Sequence, residues 1–222
     1  MSIIIKDLCK TYTMGEVAIR AVKDANLVIE PGEFIVLLGP SGGGKSTFLN
    51  LLGGMDRPSS GSVQYNGFAL ERANEEQLAQ FRREKVGFVF QFYNLLPSLD
   101  AVENVMLPLM ASGEHPETAR NRVVEMLKLI GLQDRLHHVP AKLSGGEQQR
   151  VAIARSIIHQ PELVIADEPT GDLDSVAAQD IINLLHDLNQ NLKITIIVAT
   201  HNLALCEKAH RMIEIKDGIL SE

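Results

Sequence analysis

Residues 34–52 read FIVLLGPSGGGKSTFLNLL, and few stretches of this length leave a chain so little choice of fold. Phe34 to Leu38 is a short, unbroken apolar run, as expected of a parallel strand buried on both faces. It runs into Gly39-Pro40-Ser41-Gly42-Gly43-Gly44-Lys45-Ser46, which fits the phosphate-binding pattern G-x-x-x-x-G-K-[ST]. Thr47 to Leu52 then continues with helix-compatible residues. Glycines are needed there because backbone N–H groups must converge on an anion with no Cβ in the way. The helix that follows aims its positive end at the same phosphates. Lys45 adds a point charge for the β- and γ-phosphates, and Ser46 a hydroxyl for Mg²⁺. Strand before and helix after distinguish this stretch from a glycine-rich turn with a stray lysine, and they point to a nucleoside triphosphate.

Composition narrows the setting. A net charge of −7 argues against non-specific nucleic-acid binding, which wants a basic face. The longest apolar runs, such as Ile194 to Ala199, are too short to span a bilayer. The start, MSIIIKDL, lacks the features of a secretory signal. Cys9 and Cys206 are too few for a disulfide framework and are expected to be small core hydrophobes. A cytosolic chain is expected, with any membrane role reached through a partner.

Around the phosphate loop, Ile3–Ile5 and Ala25–Ile29 read as strands, and Tyr12 stands between them in a polar stretch. Gly61–Gly67 reads as a short strand, Glu71–Lys85 as helix-compatible, and Val86–Phe90 as a further buried strand ending at Gln91. The segment Phe92–Pro97 places apolar side chains in a loop, either as packing under a helix or as a docking surface. Residues 101–135 look helical, with breaks expected near Pro108 and at 113–116. His137 and His138 have no further metal ligands at useful spacing. Ser144-Gly145-Gly146 opens a helix through Ile158, with Ser144 as N-cap, and makes a second candidate anion site. Leu163–Ala166 runs into Asp167 and Glu168, so a buried strand delivers two carboxylates to its C-terminal edge, where open α/β sheets bind ligands. Asp167 directed at Mg²⁺ and Glu168 at a water would separate the two charges. Asp172 and Asp174 precede a helix from Ser175 to about Leu188, and the strand 195–199 ends at Thr200-His201.

Taken together, the phosphate loop, Gln91, LSGGEQQR, LVIADE, GDLD and the strand-terminal His201 resemble an ATP-binding-cassette ATPase over the whole chain. VFQFYNLLPSLDAVENV, LSGGEQQRVAIAR and IADEPTGDLD are similar to the branch of lipoprotein-releasing and macrolide-efflux ATPases. The resemblance implies an α/β P-loop NTPase with a RecA-like mixed-sheet core, an N-terminal antiparallel β subdomain, and a helical subdomain inserted at about 92–160 of a single domain, 1–222. It implies that Tyr12 stacks on adenine from the loop after the first strand. Gly39, Ser41, Gly42, Gly43, Gly44, Lys45, Ser46 and Thr47 would contact phosphates and Mg²⁺, with Asp167 as the Mg²⁺-organising carboxylate. Gln91 would sense Mg²⁺ and the attacking water, Glu168 would be the general base, and His201 would meet the γ-phosphate. Ser144, Gly145 and Gly146 would meet ATP held by the opposite subunit of a homodimer, and Asp174 would communicate across that dimer. Implied partners are a second copy and an integral membrane permease on another chain, with the protein peripheral on the cytoplasmic face. No nucleic acid is expected. Gly43 stands where serine is common in this loop. A single cassette without a heptad run departs from the DNA-repair and translation cassettes, and no N-K-x-D motif supports a GTPase. A mechanotransmission ATPase of the cell-division type is the alternative within the resemblance.

Overall fold

The computed structural model describes residues 2–15 and 17–222. In chain order the elements are β1 (Ile3–Met14), β2 (Val17–Ile29), β3 (Phe34–Leu38), α1 (Lys45–Leu52), β4 (Ser60–Tyr65), β5 (Phe68–Ala69), α2 (Glu75–Lys85), β6 (Val86–Val89), α3 (Ala101–Ala111), α4 (Pro116–Leu129), α5 (Gly145–Ile157), β7 (Leu163–Asp167), α6 (Ser175–Leu192), β8 (Thr195–Thr200), β9 (Arg211–Lys216) and β10 (Ile219–Ser221). Two sheets result, an antiparallel one in the order β2-β1-β4-β5 and a mixed one in the order β10-β9-β3-β8-β7-β6. This is the α/β P-loop fold anticipated above.

In the mixed sheet β6, β7, β8, β3 and β9 run parallel, with β10 added antiparallel at the edge. Side chains alternate along each central strand, so each supplies two cores. Ile35, Leu37, Ile165, Ile197 and Ala199 face α1 and the antiparallel sheet, packing with Phe48, Leu51, Ile3 and Ile5. Phe34, Val36, Val164, Ala166 and Val198 face the other way, onto Ile153 and Ile157 of α5 and Ile181 and Leu185 of α6. Burial on both faces explains why these strands read as unbroken apolar runs. A third apolar cluster is made by α3, α4 and α5, from Val102, Val105, Leu109, Val123, Leu127 and Val151.

Three expectations need correction. The first two strands are far longer than their apolar ends, because the hairpin reaches past the core and its N-terminal half on β2 is exposed. Tyr12 therefore lies within β1, opposite Ile19, and not in a loop. Pro108 does not break its helix: α3 runs through it. The proline leaves the Asn104 carbonyl without its usual helical donor, but the buried Asn104 amide holds the preceding turn, donating to the carbonyls of Leu96, Leu99 and Asp100.

A bulge joins the two sheets. Lys10 pairs with Val22 but Thr11 with Arg20, so Ala21 is an extra residue on β2. Its carbonyl oxygen lies 2.3 Å from where a Cβ on Gly44 would sit. Gly44 also has φ +108°, so both conformation and contact demand glycine there.

Candidate active site

The parallel register brings four strand ends level. Leu38 pairs with Thr200, Ala199 with Asp167, and Val89 with Ala166. The residues just beyond these ends are therefore neighbours, although they come from four separate parts of the sequence. They line one cavity of about 520 Å³, with Gly39, Ser41, Gly42, Gly44, Lys45, Ser46 and Thr47 on one side and Gln91, Asp167, Glu168 and His201 on the other. Ala21 and Pro40 complete the lining. The bulge that places Ala21 has no local sequence signal.

Lys45 opens α1 and is buried. Its ammonium donates to the carbonyls of Gly39 at 2.8 Å and Pro40 at 3.2 Å, which curls the loop around the charge. The same nitrogen lies 3.8 Å from Glu168 Oε1. Gly39 cannot carry a side chain, since a Cβ there would fall 2.1 Å from the Ile215 carbonyl oxygen. At Gly43 the Ile215 and Pro40 carbonyl oxygens would each stand at 3.0 Å from a Cβ, so a side chain there requires a small shift of backbone; nothing in the structure explains glycine in place of serine.

Asp167 ends β7, and Glu168 follows in a left-handed conformation, φ +48°. A non-glycine residue there is uncommon, and the Glu168 N–H donating to Ala199 O at 2.8 Å holds it in place. Burial raises the Asp167 carboxyl above the usual carboxylate range, and the Glu168 charge adds to this, against the Ser46 hydroxyl and Lys45. His201 Nδ1 is 3.0 Å from Glu168 Oε2. That approach is not aligned as a hydrogen bond, and the buried Oε2 has no hydrogen-bond partner among the described residues. A proton acceptor is thus held with open lone pairs beside a cation and an anion-binding loop. The Gln91 amide is close to the loop after Glu168, since a Cβ on Gly171 would sit 3.3 Å from Nε2.

No three His, Cys, Asp or Glu side chains among the described residues converge as a metal cage. The Ser46 hydroxyl bonded to a half-buried carboxylate suits a small hard cation all the same, because Mg²⁺ commonly takes one or two protein oxygens and completes its shell with phosphates and water.

The remaining predicted residues lie elsewhere. Tyr12 stands outside the cavity lining, with its hydroxyl directed at Asp56. Ser144 caps α5 in a reciprocal capping box with Glu147. Ser144, Gly146 and Asp174 line a second cavity of about 350 Å³ that shares no lining residue with the first. Gly145 lies against Tyr93 and Leu173. Asp174 caps α6, accepting from the N–H groups of Val176 and Ala177. An aspartate just before a helix is the sequence signal for this role. In the Phe92–Pro97 segment Phe92 is 74% exposed, while Leu95 packs on the third apolar cluster.

The family model described as ABC transporter matches residues 22–171. An ABC transporter ATP-binding protein of Thermotoga maritima is 45% identical over 96% of this chain and 90% of its own length. The lipoprotein-releasing system ATP-binding protein LolD of Idiomarina loihiensis is 45% identical over 97% of this chain and 94% of that protein. Among solved structures, the dimeric post-hydrolysis state of the ATP-binding cassette MJ0796 bound to ADP and Pi is 41% identical. It covers 99% of this chain and 98% of its own, with a TM-score of 0.91. With the phosphate loop, the two carboxylates and His201 gathered at one sheet edge, the chain belongs to the ABC transporter family, as an ATP-hydrolysing ATP-binding subunit.

Proposed function

We propose that this subunit works as a head-to-tail homodimer that closes around two ATP molecules and drives a separate membrane permease for lipoprotein release or a related export. One observation carries the dimer: the Ser144–Gly146 helix start opens on its own cavity, apart from the one holding Lys45. Within one chain these two anion sites serve different places. A two-fold interface uses each patch twice, so two copies can bring each Ser144 to the other's phosphate loop. The dimeric MJ0796 cassette supports this arrangement.

In this reading Lys45 and the phosphate-loop N–H groups hold the β- and γ-phosphates. Ser46, Asp167 and Gln91 hold Mg²⁺, which would neutralise phosphate charge. Glu168 takes the proton of the attacking water, with His201 beside it to bond the γ-phosphate. Tyr12 stacks on the base, and Asp174 relays contact across the dimer. Residues 92–160 form a helical subdomain of the single domain 1–222.

The permease contact is assigned to the exposed Phe92 and the adjoining groove of about 510 Å³, lined in part by Met55, Phe88, Phe90, Asn94 and Arg155. No helix among the described residues is long and apolar enough to cross a membrane. Attachment to the cytoplasmic face is therefore assigned to that partner, and the LolD names support lipoprotein release as its task.

Mixing two inactive variants tests the shared sites. Lys45→Ala and Ser144→Arg homodimers should each be nearly inactive. A mixed dimer contains one intact site and one site with both lesions, so mixing should restore ATPase activity in proportion to dimer concentration. If mixing restores nothing while a covalently tethered dimer carrying only one of the two lesions is active, the two motifs act within one chain and the proposal fails.

A further inference from the structure

The base platform assigned to Tyr12 is not free-standing. Its phenol O–H donates to Asp56 Oδ2 at 2.8 Å. The other oxygen of the same carboxylate accepts from Lys10 Nζ at 2.6 Å and from the Arg57 N–H at 2.7 Å. Lys10 also donates to the Arg57 carbonyl at 2.7 Å. Lys10 and Tyr12 are two apart on β1, so they project from the same face of the strand. The Lys10 ammonium stands 4.9 Å from the centre of the Tyr12 ring, within reach of a cation–π contact. One carboxylate thus fixes the ring at its hydroxyl and fixes the cation that covers it.

Asp56 is well placed to do this because of what it is attached to. It follows α1 closely, and the N–H groups of Met55 and Asp56 both donate to the Asn50 carbonyl, wrapping this turn back onto the helix. The helix carries Lys45 and Ser46 at its start. Partial burial pushes the Asp56 carboxyl up, but the bonds from Lys10, Tyr12 and Arg57 outweigh it and hold it below the usual range. It therefore stays charged throughout the neutral range. Tyr12 itself is 37% exposed, so without this tie its ring would be free to leave the position a base needs.

We infer that Asp56 is a positioning residue for nucleotide binding, whose carboxylate locks Tyr12 and Lys10 so that the ring meets the base with its orientation already set relative to the phosphate loop. The inference rests on the reading of Tyr12 as the base platform. Freezing one side chain beforehand changes affinity by only a modest factor, and the effect should be confined to the part of the ligand that touches the ring.

The test compares binding of ATP and of inorganic tripolyphosphate, each with Mg²⁺, by isothermal titration calorimetry on the full chain. The variants are Asp56→Ala, Tyr12→Phe, their combination, and Tyr12→Ala. Asp56→Ala and Tyr12→Phe should each weaken ATP binding by about three- to ten-fold. Neither should change tripolyphosphate binding, and KM for ATP should rise while maximal turnover is kept. The combination should be no worse than Asp56→Ala alone, because that variant already removes the tie to the Tyr12 hydroxyl. Tyr12→Phe deletes a single hydroxyl from an exposed ring, so it keeps the test open if Asp56→Ala folds poorly. Equal weakening of ATP and tripolyphosphate would reduce Asp56 to general support of the fold and overturn the inference. Full ATP affinity in Asp56→Ala and Tyr12→Phe, with a loss in Tyr12→Ala, would overturn it while leaving the base platform standing. Unchanged ATP affinity in Tyr12→Ala would remove the base platform itself.

Discussion

Two helices of this molecule begin in glycine-rich turns, α1 at the phosphate loop and α5 at Ser144–Gly146, and they are built on opposite plans. The start of α1 has no side-chain cap; Gly44 stands there in a left-handed conformation. Gly39 and Gly44 are required by the chain itself, because the Ile215 and Ala21 carbonyls occupy the space a Cβ would take. At α5 the end is already satisfied by the Ser144–Glu147 capping box, with Arg135 bonded to Glu147 at 2.8 Å. Neither Gly145 nor Gly146 has a positive φ. Extra Cβ atoms there would meet only side-chain atoms, at 3.0–3.2 Å. The contrast shows where each demand for glycine originates. In the phosphate loop it comes from within the fold, whereas at α5 the fold alone tolerates a small side chain and the constraint falls to whatever approaches from outside.

The largest separation between the two regions should appear in chemistry. Glu168→Gln keeps size and removes the proton acceptor, so turnover should fall by about 10²–10⁴-fold in a steady-state ATPase assay while ATP is still bound. Turnover within a few-fold of the parent would remove Glu168 from the role of base. The next contrast is in stability. Gly44→Ala combines a forbidden conformation with a backbone clash and should cost about 3 kcal/mol. Gly146→Ala should stay within about 1 kcal/mol, because alanine favours the helix and only the Ala177 methyl must yield. Thermal melts of nucleotide-free protein decide this, and equal losses at both positions would erase the distinction. The smallest effect belongs to the cap. Ser144→Ala should cost about 1 kcal/mol, roughly 2–4 °C in Tm for a chain of this size. No shift at all would mean that the capping box is incidental.

The parts legible in the sequence were those whose cause is local. A strand buried on both faces must be apolar without interruption, so β3, β7 and β8 announced themselves, and the residues that ended them became the site. A capped helix start is likewise written in adjacent residues, as at Ser144. The illegible parts depend on partners far along the chain. The exposed half of the β1–β2 hairpin buries no face in a core, with Val17 and Ile19 left exposed, so Tyr12 read as loop. Pro108 predicted a break, whereas the helix runs through it with packing of Val102, Val105 and Leu109 on the third apolar cluster, partners that lie far along the chain. The tie from Lys10 and Tyr12 to Asp56 spans more than forty positions, and nothing in either stretch refers to the other.

The extra residue at Ala21 couples the hairpin to two distant turns. Its carbonyl meets Gly44 in the phosphate loop and also crowds Gly218, at 2.9 Å from where a Cβ would sit, in the turn before the last strand. The hairpin that sets this carbonyl also carries Tyr12. Deleting Ala21 would remove the bulge and withdraw this carbonyl from both glycines at once. Hairpin register, the glycine at position 44 and the glycine at position 218 are therefore tied mechanically through one carbonyl, so a change in the hairpin is felt at the nucleotide loop without any change in the loop itself.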